Sequence, residues 1–177
     1  EEFILKMNVK ASEIGMLHAL FSDVTGLIPT NTATALDVAV MARAAFSRQE
    51  IRKALTMTSY EVSVRGKDEK KTVYTTDRLL EGALNREPFK IQGGKTGYIE
   101  ESGFNFVFEV KGDHLQDLLV VIMGSESVDS RFEEAKNLAL WAFENFDWEM
   151  REFAIFDNNG YILQFGQPVS EISESAS

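Results

Sequence analysis

The stretch Phe89-Lys-Ile-Gln-Gly-Gly-Lys-Thr-Gly97 opens the most strand-like part of the chain. Two further strand-like segments, Phe104–Val110 and Leu118–Gly124, follow it, and Lys111-Gly-Asp-His-Leu115 between them is typical of a hairpin turn. The last segment is apolar throughout, as expected for a strand that is covered on both faces. The sequence therefore predicts three consecutive strands, the last of them buried.

Helices are predicted before these strands. Apolar residues recur at helical spacing over residues 1–15, and Gly15 is a natural stop. A second helix is predicted to begin at Thr34-x-x-Asp37, which resembles a capping box. Its apolar residues nearly encircle it, which predicts a buried helix. A third helix is predicted to begin with a capping box at Ser47-x-x-Glu50 and to run to Leu55.

An exposed hairpin is predicted over Tyr60–Val64 and Thr72–Thr76, because alternating and β-branched residues flank a charged turn there. A long helix with one apolar face is predicted to begin near Ser130-x-x-Glu133. After it, Phe153–Phe156 and Tyr161–Phe165 predict a short strand pair.

Composition narrows the classes of protein. The 177 residues suggest one domain, or one domain plus a fragment, and 44% hydrophobic residues suffice for a core. The absence of cysteine excludes disulfides and cysteine nucleophiles, and two histidines argue against an all-histidine zinc site. No apolar run is long enough to span a membrane. The net charge is −10, and residues 101–177 carry 15 acidic and 4 basic side chains, which argues against nucleic acid as a partner.

The segment Gly93-Gly-Lys-Thr-Gly97 is the candidate for chemistry. Glycine within a strand often marks a place where another backbone comes close, while Lys95 offers a positive charge and Thr96 a hydroxyl donor. With strand alternation, Lys95 and Gly97 project to one face and Thr96 to the other. These residues suit an extended ligand that bears a carboxylate and lies beside a strand edge. The simpler alternative is a glycine-rich turn beside a solvated lysine.

The motifs along the chain resemble, in order, those of the serine D-alanyl-D-alanine carboxypeptidases of the peptidase S11 family, which are low-molecular-mass penicillin-binding proteins. The matching segments are Met7-Asn-Val-Lys-Ala-Ser-Glu-Ile-Gly-Met16, Asp23-Val-Thr-Gly-Leu27, Thr34-Ala-x-Asp-Val-Ala39, Gly94-Lys-Thr-Gly-Tyr98 with Ser102-Gly-Phe-Asn105, and Val121-Ile-Met-Gly124 with Arg131-Phe-x-Glu-Ala135. The resemblance implies an α/β (α+β) fold of the β-lactamase/transpeptidase type, with an antiparallel sheet flanked by helices and incomplete at its N-terminus.

The resemblance also implies a role for each site residue. Lys95 would raise the positive potential and align the catalytic hydroxyls, Thr96 would bind the terminal carboxylate of the substrate, and Gly97 would leave room for the peptide. The backbone N–H of Tyr98 would be an oxyanion-hole donor, and Arg131 would help to hold the D-Ala carboxylate. The alternative for Arg131 is a helix-start residue on a solvated face.

The family nucleophile is not within these 177 residues. No serine is followed three residues later by lysine, and none is followed two residues later by asparagine. In the family both motifs precede the segment that matches residues 7–16. Residues 1–148 therefore resemble the C-terminal part of a catalytic domain. Residues 149–169 are interpreted as a linker or the start of a β-rich domain, and residues 170–177 as a disordered tail.

The chain departs from the family pattern at one position beside the motif. Ile99 stands where the family usually has threonine. Ser125 and Ser127 are interpreted as loop and capping residues without a suitable base, and His18 as structural.

The implied activity is cleavage of D-Ala-D-Ala stem peptides of peptidoglycan through a serine acyl-enzyme, with β-lactams as inhibitors and without a metal or cofactor. A D,D-endopeptidase or β-lactamase relative is a lesser variant, because the segments at residues 7–16 and 34–39 favour the carboxypeptidase. A non-catalytic remnant that binds peptidoglycan or a partner is the alternative of another class. The family implies an extracytoplasmic location, and membrane association of a full-length form stays open.

Overall fold

The computed structural model describes residues 1–63, 65–66, 68–112, 117–145, 150–156 and 162–168. Three helices come first along the chain: α1 (Glu2–Ile14), α2 (Ala35–Phe46) and α3 (Gln49–Leu55). Gly15 ends α1 in the left-handed conformation, with φ of 91°. The first helix and its glycine stop are thus confirmed.

The three predicted strands are β3 (Lys90–Ile99), β4 (Gly103–Lys111) and β5 (Asp117–Ser125). They form one antiparallel sheet in that order. β4 lies in the middle of the sheet, between the strands that precede and follow it along the chain. The antiparallel sheet flanked by helices that the sequence implied is therefore present, in a mixed α+β fold.

Each face of this sheet is covered by helices. The fourth helix, α4 (Val128–Asn145), packs on one face against Phe106, Phe108 and other buried residues of β4 and β5. On the opposite face Val107 packs with residues of α2. Side chains alternate between the faces along β4, as strand geometry requires. The prediction of a strand buried on both faces is confirmed for β5, where Val120, Val121 and Ile122 are buried.

Two further strand pairs lie outside this sheet. β1 (Ser59–Ser63) and β2 (Lys70–Tyr74) form an exposed antiparallel hairpin, as predicted. Two short 3-10 turns, Arg78–Glu81 and Ala83–Asn85, lead from it to β3.

Near the C-terminus, β6 (Met150–Phe156) pairs with β7 (Ile162–Pro168). This confirms the predicted strand pair. The predicted tail at residues 170–177 and residues 113–115 of the predicted hairpin turn lie outside the described residues. Among the residues described, no helix is both long and apolar enough to cross a bilayer.

The capping box of α2 is confirmed. The Asp37 backbone N–H donates to Thr34 Oγ1 over 3.1 Å, and the Thr34 backbone N–H donates to Asp37 Oδ2 over 2.9 Å. Burial is the largest single influence and opposes ionisation of Asp37, but the hydrogen bonds from Thr34, together with the His18 backbone N–H and charge, outweigh it and lower the pKa of that carboxyl. The all-round burial predicted for α2 is wrong on one side, because Leu36 and Met41 are exposed.

The predicted starts of two other helices, α3 and α4, are wrong. Ser47 Oγ donates to the Ala44 carbonyl over 2.9 Å and ends α2, so α3 begins without a side-chain cap. Helix α4 begins at Val128, before Ser130. The side chain of Ser127 accepts from the Ser130 backbone N–H over 3.0 Å, and the Ser130 hydroxyl accepts from the Ser127 backbone N–H over 2.9 Å. The cap is therefore Ser127, and Ser130 is its reciprocal partner within the first turn.

Candidate active site

The segment Gly93–Gly97 lies within β3, so the alternative of a glycine-rich turn is wrong. β3 pairs with β4 along one edge, placing Lys95 opposite Val107 and Thr96 opposite Phe106. No other described strand pairs with β3, so its second edge is open. An open edge offers backbone N–H and C=O groups to an extended peptide.

Lys95, Thr96 and Gly97 differ in their exposure to solvent along β3. Lys95 and Gly97 are exposed, while Thr96 between them is half-buried, in agreement with the predicted alternation. Lys95 Nζ donates to the main-chain oxygen of Thr96. The Lys95 ammonium group therefore lies against the backbone of β3, next to Thr96.

The hydroxyl group of Thr96 is held by a second hydroxyl group. Thr76 Oγ1 and Thr96 Oγ1 are 2.6 Å apart, and either atom can be the donor. Thr76 belongs to the segment between β2 and the first 3-10 turn. This segment therefore contacts the candidate site, which the sequence did not reveal.

Two glycines of β3 have different surroundings. A Cβ atom placed on Gly94 would lie 2.3 Å from Asp77 Oδ2 and 3.1 Å from the Phe106 ring. A Cβ on Gly97 would meet only Asn105 Cβ, at 4.0 Å. Gly94 is thus required by a neighbouring carboxyl group, whereas the space beside Gly97 is open, as its predicted role requires.

Asp77 is the functional candidate that the sequence analysis missed. Its side chain is 3% exposed, and Oδ1 accepts the Leu79 backbone N–H over 2.9 Å as the cap of the first 3-10 turn. Oδ2 is buried without a hydrogen-bond partner among the described residues. Burial raises the pKa of this carboxyl to about 6, against the opposing effects of the Leu79 N–H and the Arg131 charge. In the sequence, the only signal of this contact was Gly94, a glycine inside a predicted strand.

Arg131 lies beneath β3 and β4, and its side chain is buried with 5% exposure. One guanidinium nitrogen is 3.3 Å from the carbonyl oxygens of both Gly97 and Asn105. The guanidinium carbon also lies 4.7 Å from the centre of the Phe132 ring. The alternative of a solvated helix-start residue is therefore wrong. Burial, followed by the nearby Arg78 charge, lowers the pKa of Arg131.

Tyr98 and Asn105 shape the end of the β3–β4 hairpin. The Tyr98 ring is 54% exposed and stacks on Phe104, with 4.2 Å between ring centres. Asn105 Nδ2 donates to Ser102 Oγ over 3.0 Å, and Asn105 Oδ1 accepts the Gly124 N–H over 3.0 Å. These bonds fix the turn after Tyr98. The oxyanion role of the Tyr98 N–H stays a prediction.

The serines set aside by the sequence analysis have structural partners. Ser127 caps α4, as predicted. Ser125 ends β5 instead of lying in a loop, and its hydroxyl donates to a Glu134 carboxylate oxygen over 2.6 Å. His18 contributes a backbone N–H to Asp37 Oδ1 over 3.3 Å. Within the described ranges, no three acidic or histidine side chains form a group that could hold a metal ion.

The chain is similar to known proteins. The chain is 33% identical over 107 residues to a D-alanyl-D-alanine endopeptidase of Haemophilus influenzae, a match that covers 60% of this chain and 35% of the relative. It is 27% identical over 148 residues to the D-alanyl-D-alanine carboxypeptidase DacF of Bacillus subtilis, a match that covers 83% of this chain and 36% of the relative. The chain thus spans about a third of the length of these relatives.

A solved structure shows the same fold. Penicillin binding protein 6B of Escherichia coli superimposes with a TM-score of 0.68 and 25% identity, over 97% of this chain and 51% of that one. The profile of one protein family, described as D-alanyl-D-alanine carboxypeptidase, matches residues 1–127 and so includes Lys95, Thr96 and Gly97. The chain therefore belongs to the peptidase S11 family of D-alanyl-D-alanine carboxypeptidases.

Proposed function

We propose that this chain supplies one wall of the active site of a serine D-alanyl-D-alanine carboxypeptidase that trims peptidoglycan stem peptides outside the cytoplasmic membrane. The observation that carries the proposal is the open edge of β3, where Lys95, Thr96 and Gly97 lie within the family match. In this proposal residues 1–148 form the C-terminal part of the catalytic domain, and residues 149–169 are a linker or the start of a β-rich domain.

In this proposal the terminal D-Ala-D-Ala of the stem peptide lies along the open edge of β3. Thr96 Oγ1 donates to the terminal carboxylate, and the Lys95 ammonium supplies the positive potential. The open space at Gly97 admits the peptide backbone. The Tyr98 N–H stabilises the developing oxyanion.

Arg131 strengthens the same carboxylate subsite. Its guanidinium group lies against the Gly97 carbonyl, one residue from Thr96. A buried cation acts over several ångströms because the protein interior screens its field weakly. Arg131 therefore helps to hold the D-Ala carboxylate from beneath the strand.

The nucleophile belongs to a Ser-x-x-Lys motif that is not among these 177 residues. That serine attacks the D-Ala-D-Ala carbonyl, the terminal D-Ala leaves as an amine, and water then releases the acyl group. β-Lactams acylate the same serine. No cofactor takes part.

Labelling with a fluorescent penicillin tests this function on the full-length gene product. The folded protein is expected to take up the label, and Lys95→Ala is expected to slow labelling by about a hundredfold or more, as for loss of a transition-state contact. Lys90→Ala is a matched control, because Lys90 is exposed on the same strand outside the site. Absence of label on folded wild-type protein would favour the non-catalytic remnant that binds peptidoglycan or a partner.

A D,D-endopeptidase is the second candidate, because the Haemophilus influenzae endopeptidase has the higher identity of the two relatives. Both activities share the acyl-enzyme and differ in the leaving amine. Mass spectrometry of products from a stem pentapeptide and from a cross-linked dimer separates them. Release of free D-Ala supports the carboxypeptidase, and cleavage of the dimer alone supports the endopeptidase. Turnover of penicillin instead of stable labelling would indicate a β-lactamase.

A further inference from the structure

Asp77 combines three features that a capping role alone does not require. Its carboxyl group is buried, one oxygen has no hydrogen-bond partner in the described part of the chain, and that oxygen lies against the backbone of Gly94. A buried polar atom without a partner is costly, and a functional role is one of the explanations for such an atom. Gly94 immediately precedes Lys95 in β3.

We propose that Asp77 is a positioning residue of the candidate site, which sets the place of the Thr96 hydroxyl and the strength of carboxylate recognition on β3. The inference rests on the proposed function and deepens it. Asp77 is not proposed to touch the substrate, because it is buried.

The positioning acts through the segment Thr75–Asp77. The Asp77 backbone N–H donates to Thr75 Oγ1 over 3.1 Å, and Thr76 between them pairs with the Thr96 hydroxyl at 2.6 Å. The Asp77 carboxyl group meanwhile fills the space above Gly94. The segment therefore contacts β3 at two points that flank Lys95. A shift of Asp77 must move Thr76 and, with it, the threonine hydroxyl that is proposed to bind the substrate.

The charge of Asp77 acts on the same subsite. The charge that acts on its carboxyl group is that of Arg131 from α4, and the backbone N–H groups of Leu79 and Leu80 come from its own 3-10 turn. The uncharged residues Gly94 of β3 and Phe106 of β4 lie beside its Oδ2. Arg78, on the same turn, acts on Arg131. An ionised Asp77 offsets part of the Arg131 charge and so weakens attraction for a carboxylate. A protonated Asp77 leaves that charge uncompensated. Carboxylate recognition is therefore expected to weaken as Asp77 ionises.

The first test is a carboxyl NMR titration of the 177-residue chain. Asp77 is expected to titrate near pH 6, and the Gly94 and Thr96 amide signals should shift with the same midpoint. In Asp77→Asn both amide titrations should vanish, whereas in Asp117→Asn, at the exposed start of β5, they should remain. Titration of Asp77 near about pH 4, its ordinary range, or unresponsive Thr96 signals would overturn the proposal.

The second test compares penicillin acylation rates of the full-length protein over pH. The ratio of the Asp77→Asn rate to the wild-type rate should be close to unity near about pH 5 and rise about threefold or more above about pH 7, where only the wild-type residue is charged. Taking the ratio removes the titration of groups that both proteins share. A ratio that does not change with pH would contradict the charge effect.

Substitutions of Thr76 distinguish a positioning role of the Thr75–Asp77 segment from a merely structural one. Thr76→Val should slow acylation while the exposed position keeps the fold intact, and Thr76→Ser should restore the rate because it keeps the hydroxyl group. Equal rates for the valine and serine variants would sink the positioning argument. If wild-type protein takes no penicillin, the proposed function fails, whereas the NMR coupling of Asp77 to Thr96 still decides this inference.

Discussion

Asp77 has an effect on folding stability that is opposite to that of most carboxylates. Its folded-state pKa of about 6 exceeds the ordinary value of 3.8, so the folded protein binds the proton more tightly than the unfolded chain. The resulting stabilisation is complete below about pH 4 and is lost as the pH rises through about 6. At neutral pH the ionised group therefore reduces stability.

We expect Asp77→Asn to remove this pH dependence. Relative to wild type, the variant should gain stability between about pH 4 and pH 7, by at most about 3 kcal/mol, since each pKa unit corresponds to about 1.4 kcal/mol. Urea unfolding at both pH values measures the difference. Parallel stability curves for the two proteins would show that Asp77 has an ordinary pKa.

Gly94 and Gly97 are a matched pair for testing the close approach of Asp77. Gly94→Ala places a methyl group 2.3 Å from the Asp77 carboxyl oxygen, so we expect a loss of about 2 kcal/mol in the free energy of unfolding. Gly97→Ala has open space and should be nearly neutral for stability.

Thermal or urea unfolding of both variants checks the prediction. In an Asp77→Ala background, the cost of Gly94→Ala should fall, because the conflicting oxygen is gone. Equal costs at the two glycines would contradict the described contact.

The residues of the candidate site were partly predictable from the sequence. The positions of Lys95, Thr96 and Gly97 on a strand followed from the motif and from strand alternation. Asp77 and Thr76 did not, because their contacts with β3 join residues about 20 positions apart and depend on how the turn packs. A glycine within a strand signalled a close approach, but the sequence could not show that a side-chain carboxyl group, instead of a backbone, makes it.

At the scale of elements, Arg52 ties α3 to the central sheet. Its Nε donates to the Phe46 carbonyl over 3.0 Å, one terminal nitrogen donates to Gln92 Oε1 over 3.1 Å, and the other lies 2.7 Å from Glu109 Oε2. Burial raises the pKa of Glu109, and the Arg52 charge opposes that rise. Three partners on different elements thus share one guanidinium group.

Replacing this guanidinium tests the connection. Arg52→Lys keeps the charge but cannot bond all three partners, so we expect a loss of about 1–2 kcal/mol in stability. Arg48→Lys is the control, because Arg48 is exposed and neighbours the same helix. Equal unfolding midpoints for the two variants would mean that α3 is held by its apolar contacts alone.

Element types were easier to predict than element ends. The apolar face of α4 was predicted from its spacing, and Phe132, Ala135 and Ala139 are indeed buried. Its start was predicted near Ser130 and lies at Val128, because Ser127 and Ser130 accept each other's backbone N–H and the sequence does not show which of the two precedes the first turn. Helix periodicity reports burial over many residues, whereas a cap depends on one bond.

At the scale of the whole molecule, apolar side chains at the surface cluster in the first part of the chain. Those between residues 3 and 28 that are at least half exposed are Phe3, Leu5, Val9, Leu17, Leu20, Val24, Leu27 and Ile28. Extensive apolar surface of this kind favours association. Leu17 and Leu27 are the most exposed of the set, at 80% and 74%.

We expect the 177-residue chain to associate with itself as its concentration rises. The double variant Leu17→Lys, Leu27→Lys should shift the sedimentation profile toward monomer, because both lysines would need to be desolvated in a complex. Tyr74→Lys, at a 76% exposed position on the β1–β2 hairpin, is the control and should leave association unchanged. Monomeric wild-type chain at all concentrations would refute the prediction.

The open edge of β3 has a consequence for aggregation. An unpaired strand edge is a template on which a second copy can add its own strand, and this is a common first step toward fibrils. Lys95 lies in the middle of this edge, where pairing of two copies would bring like charges together or remove an ammonium from water. The glycines beside it also lower the β-propensity of the segment. The lysine is thus expected to discourage fibril growth along this strand while it leaves the edge unpaired.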